Sequence, residues 1–462
     1  MGERFIYLDH AATTAVSPAV LEKMLPYYAI NYGNPSSVYS IARTTKKAVD
    51  EARESVAAAF GAKPNEIYFT GSGSEADNWA IKGAMGASAY SIVGASTGTG
   101  VGAGTGTGAS ASAAVGTSAS ASAIVGTGAS ASAAAGTSAS ASAIVGTGAS
   151  ASAAVGVCAK KHIITSSIEH HAVLDTCAAL ERQGFRVTYL PVDEYGLVSP
   201  DDLSAAIRDD TALVSIMAAN NEIGTVQPIK ELAAIAKSRG ILFHTDAVQA
   251  AGSLPLNVAE LGVDMMSIAA HKFYGPKGVG ALYIKAGTKI DRFMHGGSQE
   301  RGRRAGTENV AGIVGLAEAL RIAVANIDGT NAKLCALRDR TIKEVLEKIP
   351  HARLNGHPTR RLPNNANFAF RFIEGESLLL MLDMKGIGAS SGSACTSGSL
   401  DPSHVLLAIG LSHEIAHGSL RITFGVENTD SDVDCLMEVL PPIVGRLRDM
   451  SPLYDDFVKS GK

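Results

Sequence analysis

The residues with the clearest chemical potential lie between Ser267 and Gly278. The run Ser267-Ile268-Ala269-Ala270 passes directly into His271-Lys272, and a Gly275-Pro276-Lys277-Gly278 turn follows. A lysine at such a strand-to-turn edge is placed to form an imine with a carbonyl cofactor, because partial desolvation and neighbouring cations lower its pKa. Upstream, Leu242-Phe243-His244-Thr245-Asp246-Ala247-Val248-Gln249 is a second apolar run that meets an acid. An aspartate at a strand end can hold a protonated pyridine nitrogen. Lys272 with Asp246, in this order, is the protein's share of pyridoxal 5'-phosphate (PLP) chemistry.

Other segments carry weaker signals. Phe69-Thr70-Gly71-Ser72-Gly73-Ser74-Glu75 reads as a strand, a Gly/Ser turn and a helix start, with Ser72 and Glu75 at capping-box spacing. Its free N–H groups suit a phosphate, although an ordinary capped helix has the same pattern. Glu169-His170-His171 opens another helix, where a histidine can lie against a cofactor ring and exchange protons, or simply cap the helix. No second ligand stands at zinc spacing, so no metal is expected. Asn220-Asn221-Glu222-Ile223-Gly224 closes an apolar strand and offers an amide contact or plain turn chemistry. Cys395 sits in the Gly/Ser-rich run Ala389–Ser399, which suits a mobile, exposed thiol nucleophile. Cys158, Cys177, Cys335 and Cys435 read as structural. Arg421, on the alternating strand His417–Phe424, is either a surface or ion-paired residue or a bidentate clamp for an amino-acid carboxylate.

Alternating strands and helices position these groups. Strands are expected at 66–70, 162–165, 186–190 and 212–217, and near 242, 265 and 281; helices are expected at 75–83, 172–183, 229–238 and 313–326. Continuous apolar strands separated by helices predict an α/β fold with a mostly parallel sheet covered on both faces. Ligands on such sheets bind at the carboxyl ends of the strands, where Asp246 and Lys272 fall. From about Thr330 the chain reads as a smaller α+β domain, to which the N-terminal segment could contribute. The expected division is 1–15 with the small domain, 16–329 as a large cofactor-binding domain, and 330–462 as the small domain carrying the Cys395 loop.

The chain has 462 residues and a formal net charge of −4, which gives no reason to expect a nucleic-acid or membrane partner. Its 5 cysteines form no CxxC pair and fit a reducing compartment. Without a basic-then-apolar leader, the expected location is cytoplasmic. One stretch stands apart: between Lys82 and Lys160 no residue is charged, and from Gly106 blocks such as GTGASASAAV and GTSASASAIV repeat. Alternating Ala and Ser could form silk-like short strands, but side chains this small bury little area. The composition favours a low-complexity surface loop over about 86–157, with no part in the chemistry.

Taken together, these motifs resemble the class V aminotransferase group, and within it the cysteine desulfurases of the NifS/IscS type. The likeness is carried by Leu8–Thr14, Gly33-Asn34-Pro35-Ser36-Ser37, Gly73–Asn78, Glu169-His170, Asn221–Gly224, Thr245–Gln249, His271-Lys272, Arg304-Ala305-Gly306-Thr307 and Ser391–Cys395. The resemblance implies an aspartate aminotransferase-like fold with a seven-stranded sheet. It implies that Lys272 holds PLP, that Asp246 pairs with the pyridine nitrogen and Gln249 with the ring hydroxyl, and that His170 stacks on the ring beside Asn221. Gly73, Ser74 and His271 would bind the phosphate, and Thr307 would reach the phosphate of a second subunit in a homodimer. Asn34 and Arg421 would grip the carboxylate of L-cysteine. Cys395 would take the substrate sulfur as a persulfide, release L-alanine, and pass the sulfur to an iron–sulfur scaffold protein or a tRNA-thiolation enzyme.

Two departures from the family stand out. Ala269 replaces the serine usual two positions before the histidine of His-Lys, removing a phosphate hydrogen bond of about 1.5–3 kcal/mol. The repeat is the other. Alternative readings are a selenocysteine lyase, a class V aminotransferase, or a catalytically silent scaffold displaying the repeat; Cys395 argues against the aminotransferase, and Lys272 and Asp246 against the scaffold.

Overall fold

The computed structural model describes residues 5–90, 160–392 and 402–460, together with the backbone of five short strands between 110 and 155. Cys158 and Cys395 lie outside the described residues. In chain order the strands are β1 (Ile6–Tyr7), β2 (Ile67–Thr70), β3 (Ser110–Ala114), β4 (Ala121–Val125), β5 (Ser130–Ala135), β6 (Ala141–Val145) and β7 (Ser150–Val155). They continue as β8 (His162–Ser166), β9 (Arg186–Leu190), β10 (Thr211–Ser215), β11 (Leu242–Asp246), β12 (Met265–Ala269) and β13 (Gly280–Ile284). The last are β14 (Ala352–Asn355), β15 (Asn365–Phe370), β16 (Ile387–Gly388) and β17 (Ser419–Thr423).

The main sheet has seven strands in the order β2-β13-β12-β11-β10-β8-β9. Only β13 runs antiparallel to its neighbours. All residues of β8, β10, β12 and β13 are buried, as the continuous apolar runs require of a sheet covered on both faces. The expected α/β fold and each of its seven strands are therefore present. One face packs on the helices Ser40–Phe60 and Val310–Ala325, which share a core with Val214, Phe243 and Ile268. The other packs on the helix Gly73–Tyr90 through Trp79 and Met85. Trp79 is fully buried, donates its indole N–H to the Asp291 carbonyl at 2.9 Å and meets Tyr68 edge-on at 5.5 Å.

A second core joins Leu8, Phe368, Leu420 and Leu436. It lies beside the antiparallel sheet β14-β15-β17. The N-terminal strand β1 pairs with β16, Ile6 opposite Ile387, and Leu8 is fully buried in this second core.

The repeat departs from expectation. In place of a loop, β3, β5 and β7 form one parallel sheet and β4 and β6 another. Their register sets Ser130 between Ser110 and Ser150, and Ile124 beside Ile144, a step of twenty residues per rung. Like meets like at every rung but Ala135 beside Val155, because the sequence itself repeats, so the ladder is self-consistent. The helix Gly73–Tyr90 also runs past residue 86, so the start expected for the repeat segment is helical. Its two ends meet: Ser88 Oγ donates to the Lys160 carbonyl at 3.2 Å.

Candidate active site

Strand ends and one helix start converge on a cavity of about 390 Å³ at the carboxyl edge of the main sheet. Gly73, Ser74, His170, Asn221, Asp246, Gln249, His271, Lys272 and Arg421 all line it. The structure thus brings together nine of the residues singled out from sequence.

Lys272 leaves β12 on a short 3-10 turn. Its ammonium donates to the carbonyl oxygens of Ala11 and Ala12. Gln249 donates to the same Ala11 carbonyl at 2.9 Å. The N-terminal segment therefore forms one wall, with its backbone oxygens turned on the lysine. The motif Leu8–Thr14 is visible in the sequence, but the role of its carbonyls is not, because backbone oxygens carry no sequence signal. Two residues on from Lys272, Tyr274 has φ 66, rare for a bulky side chain. It is held there because its N–H donates to Thr14 Oγ1 and its hydroxyl accepts from the Val426 N–H, each at 2.8 Å.

Asp246 ends β11 and is buried, with Oδ1 accepting from the Val248 N–H at 2.8 Å. Burial lifts its carboxyl to about 6, against the pull of that N–H and of the Lys272 ammonium. A second carboxylate shares the cavity: Asp77 is 1% exposed, and among the described residues its Oδ1 has no hydrogen-bond partner. Burial, and then the charge of Asp246, raise Asp77 well above the usual carboxylate range. His244 Nε2 lies 3.7 Å from Asp77 Oδ1; this imidazole is bonded to Ser215 and Ser267 at 2.9 Å on the flanking strands and pushed by burial to about 3. Asp77 and His244 lie within Gly73–Asn78 and the run Leu242–Gln249, but no periodicity reveals that the two would meet beneath the cavity.

His170 both lines the cavity and caps the helix His171–Glu181, its Nδ1 accepting from the Ala172 N–H at 3.1 Å. Burial first, then Lys272, His171 and His404, lower it to about 4. The imidazole is neutral near pH 7, and with Nδ1 accepting, its proton rests on Nε2. His171 turns away toward His404, with ring centroids 4.9 Å apart, which resolves the choice between the adjacent histidines. His271, beside Thr13, is likewise lowered to about 4 by burial and the neighbouring lysines.

The helix Gly73–Tyr90 points its start into the cavity. Ser72 Oγ accepts from the Glu75 N–H at 3.0 Å, while Glu75 accepts from Gly71 and pairs with Arg304 at 2.7 Å. Glycine at 73 is required for closeness: a Cβ there would lie 2.7 Å from Val248 Cγ2 and 3.3 Å from the Ala269 Cβ. Ala269 itself lines this end and offers no hydroxyl.

Arg421 on β17 is 2% exposed. Its Nη2 meets Asp9 Oδ1 at 2.6 Å and its Nη1 donates to the Asn221 carbonyl at 3.0 Å and the Gly392 carbonyl at 3.4 Å. This arginine is ion-paired, and it faces the cavity. Asn34 does not line the cavity; its Oδ1 accepts from the Ser36 N–H at 2.9 Å. Thr307 is exposed and lines a separate cavity of about 130 Å³ with Gly71 and Arg304. Cys177 is buried, whereas Cys435, expected to be structural, is exposed on the helix Asp430–Asp449. Among the described residues no group of His, Cys, Asp and Glu is arranged to hold a metal ion, and no single helix is long and apolar enough to cross a membrane.

This residue set fits PLP. A buried carboxylate can face a protonated ring nitrogen, a lysine stands across the cavity, and a neutral histidine lies beside it. A glycine-bounded helix start supplies donors at the phosphate end.

Comparison with known proteins agrees. The pattern of the family described as class V aminotransferases matches residues 6–92 and 134–436. A cysteine desulfurase IscS of Methanosarcina thermophila is 53% identical over 448 residues, covering 97% of this chain and 94% of the relative. A cysteine desulfurase IscS of Clostridium botulinum (strain Hall) is 50% identical over 457 residues, covering 98% of each. A solved NifS-like protein superposes with a TM-score of 0.77 at 33% identity, covering 96% of this chain and 100% of that one. The chain therefore belongs to the class V aminotransferase family and, within it, to the PLP-dependent cysteine desulfurases.

Proposed function

We propose that this enzyme takes sulfur from L-cysteine, releases L-alanine and holds the sulfur as a persulfide on Cys395 for transfer to an iron–sulfur scaffold protein or a tRNA-thiolation enzyme. One observation carries the reading: the Lys272 amine, the Asp246 carboxylate and the Arg421 guanidinium line a single cavity, which Gly392 enters at the start of the segment bearing Cys395. When bound, PLP supplies the electron sink that labilises bonds at the substrate's α and β carbons.

The chain's own groups do the rest. Lys272 would hold the cofactor, and Asp246 would keep a proton on its ring nitrogen. His170, with its proton on Nε2, and Lys272 would move protons at the reacting carbons. Gly73, Ser74 and His271 would hold the phosphate, with Asn221 and Gln249 at the ring. Arg421 would anchor the substrate carboxylate. The Cys395 thiolate would then attack the substrate sulfur: the S–S bond forms, the carbon–sulfur bond breaks, its electron pair stays with carbon, and a proton completes alanine.

We further propose a division of the chain near residue 329 into cofactor-binding and small domains, and a homodimer. Leu25, Tyr28, Ile30, Tyr32 and Val38 are exposed by 56%, 62%, 70%, 71% and 89%, a concentration of apolar surface that a second copy would cover. Asn34 lies inside that segment, and exposed Thr307 would reach across to the partner's phosphate. A reducing, cytoplasmic setting would keep the thiols available.

Sulfide released from L-cysteine in the presence of a reductant is the test. Turnover should be lost in Cys395→Ala while the absorbance of the lysine-bound cofactor persists. Sulfide release surviving in that variant would remove the assigned role of Cys395.

A further inference from the structure

Arg421 is already charge-balanced without substrate. The Asp9 carboxylate, 15% exposed, holds Nη2 of a guanidinium that is 3% exposed. Asp9 is itself fixed by the N-terminal segment: it bridges to Thr423 on β17, and Tyr7 donates its hydroxyl proton to the Asp9 carbonyl at 2.9 Å. Arg421 Nη1 is spent on the Asn221 and Gly392 carbonyls, and among the described residues its buried Nε has no hydrogen-bond partner. Asp9 does not line the cavity, whereas Arg421 does. An amino-acid carboxylate arriving at Arg421 thus becomes the second anion on one buried cation. Whether it displaces Asp9 or shares the guanidinium, it meets like-charge repulsion at a few ångströms in a poorly solvated place.

We infer that Asp9 is an internal counter-carboxylate that competes with the carboxylate of the bound amino acid, weakening cysteine binding and favouring release of alanine. It is a specificity-setting residue that acts through Arg421. The inference rests on the functional reading above only for the identity of the substrate; the competition itself concerns any ligand with an α-carboxylate.

The PLP-loaded enzyme decides the matter. Asp9→Asn keeps an oxygen that can accept from Nη2 and removes only the charge. The KM for L-cysteine should fall roughly five- to tenfold, with kcat moving less, and the dissociation constant for L-alanine, followed by cofactor absorbance, should fall in parallel. Cysteamine, which lacks the carboxylate, should show no such gain, and Asp9→Glu should return both constants toward the wild-type values. Asp9→Ser supplies the same loss of charge should the amide variant fail to fold. Unchanged or weaker alanine binding in the neutral variants, or an equal gain for cysteamine, overturns the inference. A wild-type enzyme that releases no sulfide from cysteine would overturn the functional reading instead, and the alanine titration would still decide on Asp9.

Discussion

Two parallel β systems stand in one chain. In the main sheet, β8, β10, β11 and β12 differ from one another in sequence, bury almost every residue and run out into polar loops at one edge. In the repeat, β3, β5 and β7 place serine on serine and alanine on alanine. Both satisfy their backbones in the same way. The main sheet differs in two respects: large apolar side chains on both faces, and titratable groups at the strand ends. The first supplies the burial that keeps Asp246, Asp77 and Glu169 out of water; the second gives that desolvation something to act on. Between Lys82 and Lys160 there is no ionisable side chain apart from Tyr90 and Cys158. Parallel order alone does not make an active site.

The sharpest break between the two systems is Lys272→Ala. Turnover should drop by roughly 10³-fold or more, and the imine absorbance should vanish from the visible spectrum. Trp79→Ala attacks the packing that supports the site. Emptying this fully buried position between the sheet and the helix Gly73–Tyr90 should cost about 3–5 kcal/mol, read from urea unfolding.

A smaller effect tests desolvation itself. Burial lifts Glu169 from 4.5 to about 8, against hydrogen bonds from Ser166 and the Met217 N–H. A carboxyl that the fold holds neutral binds its proton more tightly folded than unfolded. Its stabilisation is complete below about 4.5 and is lost as pH rises to about 8. The lowered histidines act in the opposite sense: His170 and His271, brought from 6.5 to about 4, add stability as pH rises and have finished by 6.5. Between pH 6.5 and 8 the urea midpoint should therefore fall, and Glu169→Gln should flatten that slope; a slope unchanged in the variant would show that Glu169 is already ionised.

The least effect is expected from the repeat. Because Ser88 and Lys160 touch, residues 92–157 can be replaced by a short Gly/Ser link at little closure cost. Sulfide release should stay within about twofold of the full chain; a larger loss would mean that the repeat supports the site.

How much of this was legible beforehand follows from the range of the signals. The strand β11 and the helix Ile229–Ser238 could be read directly, since apolar period and length are local properties. Lys272 and Asp246 stood out because each sits where an apolar run stops. The repeat was misjudged because burial was taken as the driving term, whereas a sequence that copies itself satisfies a parallel ladder at any rung. The contacts of Arg421 with Asp9, and of Lys272 with Ala11, join residues that lie 412 and 261 positions apart, and no local pattern reports such pairings.

The sequence by itself determined the order of elements, the positions of the ionisable groups and the chemistry those groups can support, because side-chain type and spacing are written along the chain. Tertiary structure decided the rest. Which of two histidines meets the cavity, which carboxyls remain protonated and which anion balances Arg421 all depend on desolvation and distance, and both arise only when segments remote in the chain are packed together.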